Sequence, residues 1–206
     1  LKQSIERRRN GHTKTIQTCQ RMTFLRKECN ISTETERGHF GVTWQKEHRL
    51  LPYTRPTLST ERVSLYHKEG YLTNTAINFT VEEYNDPIIP QWAREIEKVF
   101  GLFDQGLKFI RLSQYDVIPP HVPTTTDYCI ENKADPDDVI LGLLMLEDWQ
   151  PGHLLEIDGT PHTNWKKGDW FKFWADRKVS YANVGKKKMY MVQLIGKESY
   201  VGQLEH

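Results

Sequence analysis

The chain has 206 residues, enough for one domain with a substantial core and no need of disulfides or metals to staple it. Its 28 Lys and Arg nearly cancel its 27 Asp and Glu, leaving a formal charge of +1, so the total charge calls for neither nucleic acid nor an anionic membrane as partner. No apolar run approaches the ~20 residues of a membrane span, Leu1 opens no signal peptide, and the odd trio Cys19, Cys29 and Cys129 fits neither a disulfide framework nor a zinc knuckle. A cytoplasmic protein with free thiols is therefore expected, in which the asparagine sequons at Asn30 and Asn78 meet no glycosylation machinery.

Taken in chain order, residues 1–34 hold eight Lys or Arg against three acids, a local excess of +5. Such an arm suits RNA, DNA or an acidic partner, and it equally suits a solvated helix surface. The first forty residues lack a sustained apolar stripe and read as one or two short helices followed by loop, part of a helical and loop cover over 1–70. From Tyr71 the stretch YLTNTAINFTVEEY is rich in β-branched and aromatic residues and predicts a strand, which Asn85-Asp86-Pro87 stops. Gln91 to Phe100 places Trp92, Ile96, Val99 and Phe100 on one helical face, with Gly101 as the stop. Strands are then expected over Leu107 to Ile118, Val139 to Leu146, Leu154 to Ile157, Asp169 to Trp174 and Lys188 to Ile195. Asp158-Gly159 signals a two-residue hairpin, and VILGLLML reads as a strand buried on both faces. Many short strands after early helices predict a mainly β fold, a double-sheet barrel or jelly roll over 71–203 with an N-terminal helical cover, in a single domain 1–203. The final Leu204-Glu205-His206 looks like the stub of a vector-encoded histidine tag and takes no part in site reasoning.

The ordered series LEDW, PGH, EIDG, NWKKGD, AN-x-G and a strand ending QLIG, between Leu146 and Gly196, resembles the C-terminal half of small 2-oxoglutarate/Fe(II)-dependent oxygenases of prolyl-hydroxylase-like, phage or bacterial type. With the segment around His121 the likeness covers the last 80 to 100 residues or so. It implies a double-stranded β-helix, a cupin-like jelly roll holding iron and 2-oxoglutarate between two facing sheets. Three facial ligands, two histidines and a carboxylate, leave three positions for the co-substrate and O2. By the resemblance, the first two ligands form His-x-Asp, and here they correspond to His121 and Pro123. The distal histidine corresponds to Val179. The arginine and hydroxyl residue that clamp the far carboxylate correspond to Met189 and Met191, and Lys186, Lys187 and Lys188 precede them as point charges whose place on the strand aims them elsewhere.

A single imidazole does not retain Fe(II) against water, so the sequence predicts an oxygenase-like protein without catalytic residues or cofactor. On this reading it is a pseudoenzyme that binds a partner protein or a small ligand. A first alternative keeps Fe(II) and 2-oxoglutarate with displaced ligands, drawing on His121 with Asp127, His153 or His162. A second is a nucleic-acid module using the basic arm. Each candidate also has an ordinary structural reading. His121 suits a strand-edge loop, Asp127 lies six residues on and needs a bulge to return, and His153 and His162 fall diagonally on one face of the hairpin. The aromatic run Trp165, Trp170, Phe171, Phe173 and Trp174 suits either a stacking surface or the core, with core preferred because alternate strand positions point inward.

Overall fold

Ten strands form among the described residues: β1 (Glu36–His39), β2 (Glu82–Tyr84), β3 (Leu102–Leu112), β4 (Asp116–His121), β5 (Val139–Met145), β6 (His153–Ile157), β7 (Thr160–His162), β8 (Asp169–Trp174), β9 (Val179–Asn183) and β10 (Met189–Glu198). This computed structural model describes residues 35–41, 44–71, 77–84, 89–98 and 100–198, all within the unit Thr35–His206. The expected N-terminal helices and basic arm, Cys19, Cys29, the Asn30 sequon and the terminal tripeptide lie outside the described residues.

The strands make two antiparallel sheets, one in the order β1-β8-β5-β10-β3-β2 and one in the order β4-β9-β6-β7. From β3 to β10 the chain alternates between the two sheets, except at the β6–β7 hairpin within the second, the winding of a double-stranded β-helix. The chain is mainly β and has the cupin-like jelly-roll fold. Among the described residues three short α-helices accompany it: α1 (Thr60–Lys68), α2 (Arg94–Glu97) and α3 (Thr126–Asn132). No helix among the described residues is long and apolar enough to cross a membrane.

Period-two alternation decides what fills the space between the sheets. Ile110 and Leu112 of β3, Leu141, Leu143 and Met145 of β5, and Phe171 and Phe173 of β8 face Ile118 of β4, Leu155 and Ile157 of β6, and Val179 and Tyr181 of β9 in one buried cluster. The all-apolar β5 is buried along its whole length, as its composition predicts. Its second face is covered from outside: the Phe100 ring sits so close to Gly142 that a Cβ there would lie 2.7 Å from the ring. The Asp158-Gly159 hairpin forms with both residues at positive φ (49° and 76°), the type I′ geometry that suits Asp-Gly.

Several expected elements differ from those observed. Leu107 to Ile118 is two strands in different sheets, because Ser113-Gln114-Tyr115 turns the chain with Tyr115 at φ 70° and the Asp116 carboxylate accepts the Ser113 N–H at 2.8 Å. The expected ten-residue helix is a 3-10 turn, Gln91–Ala93, followed by the single turn α2, which is enough to bury Ala93 and Ile96, with Phe100 buried beyond it and Gly101 at φ 58° turning the chain into β3. Among the described residues of the strand expected from Tyr71, β2 forms at its end, residues 72–76 lying outside the described set. Asn78 pairs with β4 instead, through its N–H to Tyr115 O at 2.9 Å and its carbonyl to Val117 N at 2.8 Å. Residues 36–39, expected as loop, add to the edge of β8 as β1. β7 is the return arm of the expected Asp158-Gly159 hairpin, whereas β9 was not anticipated as a strand, because Ser180 and Asn183 break up its apolar pattern.

On the outer face of the first sheet, Tyr190 and Arg111 stand opposite each other and receive residues 48–55. His48 is fully buried, with Nε2 2.8 Å from Glu147 Oε1, and Arg49 also donates to that oxygen. Burial raises the Glu147 carboxyl, but the hydrogen bonds from His48 and Arg49 outweigh it and hold the group at about 2, below its ordinary 4.5. A carboxyl depressed in the folded state stabilises above its unfolded pKa, and that contribution fades as pH falls from about 4.5 to about 2. Allowing for partial exposure, the loss is about 2 kcal/mol. Glu147→Gln is expected to flatten this acid limb in denaturant titrations between pH 5 and pH 2; a limb as steep as in the parent chain would assign it to other carboxyls.

Candidate functional site in the barrel interior

β4 is an edge strand of the second sheet, where Pro119 and Pro120 are tolerated because the ladder asks fewer N–H donors of an edge. Its pairing with β9 runs Ile118 to Tyr181 and then His121 to Val179, so the β4 side spends one extra residue in a bulge. That bulge sets His121, the last residue of β4, directly across from Val179, the first of β9. His121 Nδ1 lies 3.0 Å from the Pro119 carbonyl and donates to it, and its ring meets Tyr181 edge-on at 6.4 Å between centroids. Burial lowers the His121 pKa below its ordinary 6.5; Arg62 of α1 adds to this, while the Pro119 and Val179 carbonyls oppose it. Burial likewise pushes the Tyr181 phenol well above its usual value.

Met189 opens β10 opposite Leu112, and Met191 lies between Ile110 of β3 and Met145 of β5. Val179 is 3% exposed, Met189 1% and Met191 0%, and all three belong to the single interior cluster. Pro123 is half-buried just beyond β4, on the segment leading into α3. Lys186, Lys187 and Lys188 are exposed on the loop before β10 and do not join the interior. The structure thus gathers Val179, Met189 and Met191 in one apolar cluster, with the half-buried His121 paired across the ladder from Val179.

Asp127 stands exposed in the first turn of α3. His153 and His162 do share a face, since His162 pairs with Leu155, two residues beyond His153. His153 is committed to structure: Nδ1 accepts the Gln150 N–H at 3.3 Å, Nε2 lies 2.8 Å from the Lys187 carbonyl, and the ring stacks on Trp165. Of the aromatic run, Trp165, Phe171, Phe173 and Trp174 are buried, and Trp170 is partly buried against Phe100.

The donors present do not fit the iron and co-substrate that the oxygenase resemblance implies. Proline and valine side chains carry no lone pair for a metal, and a thioether offers a carboxylate no hydrogen-bond donor. Among the described residues no group of three or more His, Cys, Asp and Glu could hold a metal ion. Two participants escaped the sequence reading. Tyr181 was within reach, because alternation from Val179 puts it on the same face. Arg62 carried no signal, since a helix some sixty residues upstream of His121 meets it only through the tertiary fold.

No protein-family model matches the chain, and comparison with curated proteins gives no match. Among solved structures, a Pseudomonas putida prolyl-4-hydroxylase is similar at 12% identity over 86% of this chain and 99% of that one, with a TM-score of 0.47. A cupin protein from Bacteroides fragilis shares 16% identity over 50% of this chain and 70% of its own, with a TM-score of 0.34. A predicted oxalate decarboxylase from Thermotoga maritima shares 12% over 57% and 81%, with a TM-score of 0.37.

Proposed function

We propose that this jelly roll carries out no Fe(II)/2-oxoglutarate chemistry and acts by binding a partner protein or a small ligand. The observation that supports this reading is the fate of the interior. Val179, Met189 and Met191 pack with side chains of both sheets where the oxygenase resemblance requires an imidazole, a guanidinium and a hydroxyl. Apolar packing of that kind stabilises the barrel without metal, so the fold does not depend on a bound ion as small metal-organised domains do. His121 alone offers Fe(II) one nitrogen, and a single imidazole competes poorly with water.

The reading with displaced ligands has less support: His153 already uses both ring nitrogens, and Asp127 projects from a helix surface. The nucleic-acid reading rests on residues 1–34, outside the described residues. The test is anaerobic titration of metal-free protein with Fe(II), with and without 2-oxoglutarate, followed by the visible charge-transfer band of the ternary complex. No band, from a protein equally stable with and without metal, is the expected result. A band saturating at one metal per chain, abolished in His121→Ala, overturns the reading.

A further inference from the structure

Where β7, the edge of the second sheet, approaches β8 and β1 of the first, two nitrogen-bearing side chains converge on one aromatic ring. His162 is 7% exposed and its ring lies 4.8 Å from that of Phe171, yet its buried Nε2 has no hydrogen-bond partner among the described residues. Native structures rarely leave such an atom unpaired, and one that is unpaired asks what it is kept for. Arg37 stands opposite Phe171 in the β1–β8 ladder, so its side chain leaves on the interior face, with the guanidinium 5.0 Å over the same ring. That ring is its contact among the described residues; the neighbouring Glu36 turns to the other face and meets Lys172 at 3.6 Å.

We propose that Arg37 and the Nε2 side of His162 form a subsite for a small oxyanion, a carboxylate or phosphate group, bound beside the Phe171 ring. The guanidinium supplies a planar fork of donors and the fixed charge, and an imidazole protonated on Nε2 supplies one more donor from the buried side. Burial, and then the nearby Arg37, lower the His162 pKa below its ordinary 6.5, so the ring is neutral at neutral pH and the site carries a single positive charge. Arg37 is exposed, and a ligand enters along its side of the seam. Neither Arg37 nor His162 stands at a position that the oxygenase resemblance assigns, so the inference does not rest on the proposed loss of metal chemistry, although the Phe171 ring belongs to the same interior cluster as Val179.

The experiment follows the His162 ring resonances by NMR, assigned with His162→Gln, while succinate or orthophosphate is added at constant ionic strength against chloride. A saturable shift is expected, with affinity reduced about tenfold or more in Arg37→Gln, the loss of one charge-assisted contact. Saturation by succinate alone identifies a carboxylate site, by phosphate alone a phosphate site, and by both a general oxyanion site. A shift that stays linear, that chloride reproduces, or that is unchanged in Arg37→Gln overturns the proposal. Should His162→Gln fail to fold, Arg37→Gln on the exposed edge strand decides the matter by itself.

Discussion

Replacing Asp116 with alanine is expected to lower the unfolding free energy by about 3 kcal/mol or more, among the largest effects of any polar substitution in this chain. The carboxylate is fully buried and satisfied from three directions: Asn78 Nδ2 at 3.0 Å, the Ser113 N–H at 2.8 Å and the Arg55 guanidinium at 2.8 Å. Each donor belongs to a different part of the chain. Ser113 begins the turn that carries the chain from the first sheet to the second, Asn78 pairs with the start of β4, and Arg55 lies on the segment bridged to β2 at Thr54 and Glu83. Alanine leaves the Ser113 N–H and the Asn78 amide without an acceptor, and Arg55 loses its buried carboxylate partner while keeping the Thr80 carbonyl at 2.5 Å and the more distant Glu82 at 3.8 Å. Because Arg55 is partly exposed, the cost falls near the lower end for breaking a buried ion pair. Asp116→Asn keeps the shape but turns an amide N–H toward one donor, and an intermediate loss is expected. Urea denaturation with an unchanged slope is the measurement; a loss under about 1 kcal/mol for Asp116→Ala would mean that water replaces the carboxylate at little cost.

Gly152→Ala is expected to cost at least as much, by a different route. Gly152 has φ 97°, where an L side chain is strained, and a Cβ built on it would lie 2.4 Å from Gly185 N and 2.5 Å from Gly185 Cα. Both are backbone atoms, so no rotamer change relieves the contact. The partner loop has little freedom to retreat: Val184 N donates to Gly152 O at 2.9 Å, Gly185 N to Asn183 Oδ1 at 2.9 Å, and Asn183 Nδ2 to Lys187 O at 2.9 Å. Strain and overpacking together amount to about 3–5 kcal/mol. Gly159→Ala serves as control, since it shares the positive φ but meets nothing within 4 Å, and its cost should stay near 1 kcal/mol. Equal thermal shifts for the two variants would show that the backbone conformation alone, and not the approach of the two loops, determines the effect.

The contrast between these glycines marks what the sequence can disclose. Asp158-Gly159 was legible because a type I′ turn is chosen by two adjacent residues and needs no partner. β8 was found with its observed bounds for a similar reason: a turn at Gly168 and an aromatic-rich alternation lie within one short window. The series from LEDW to QLIG singled out Val179 and Met189, and the segment around Pro119 and Pro120 singled out His121, as positions that the oxygenase resemblance makes equivalent to its site. That His121 stands opposite Val179 could not be read there, because it depends on the β4 bulge and on β9 pairing between β4 and β6.

Local chemistry in the sequence therefore determined the hairpin, the buried β5 and the mainly β character. Only the tertiary structure decided the split of residues 107–118 between two sheets, the pairing of β1 and β9, the burial of Asp116 and His48, and the approach of Arg37 and of His162 to the Phe171 ring. The physical reason is the same in each case. A strand's propensity is a weak, context-dependent preference, whereas its place in a sheet and the partners of its polar atoms are fixed by hydrogen bonds and packing between residues far apart in the chain.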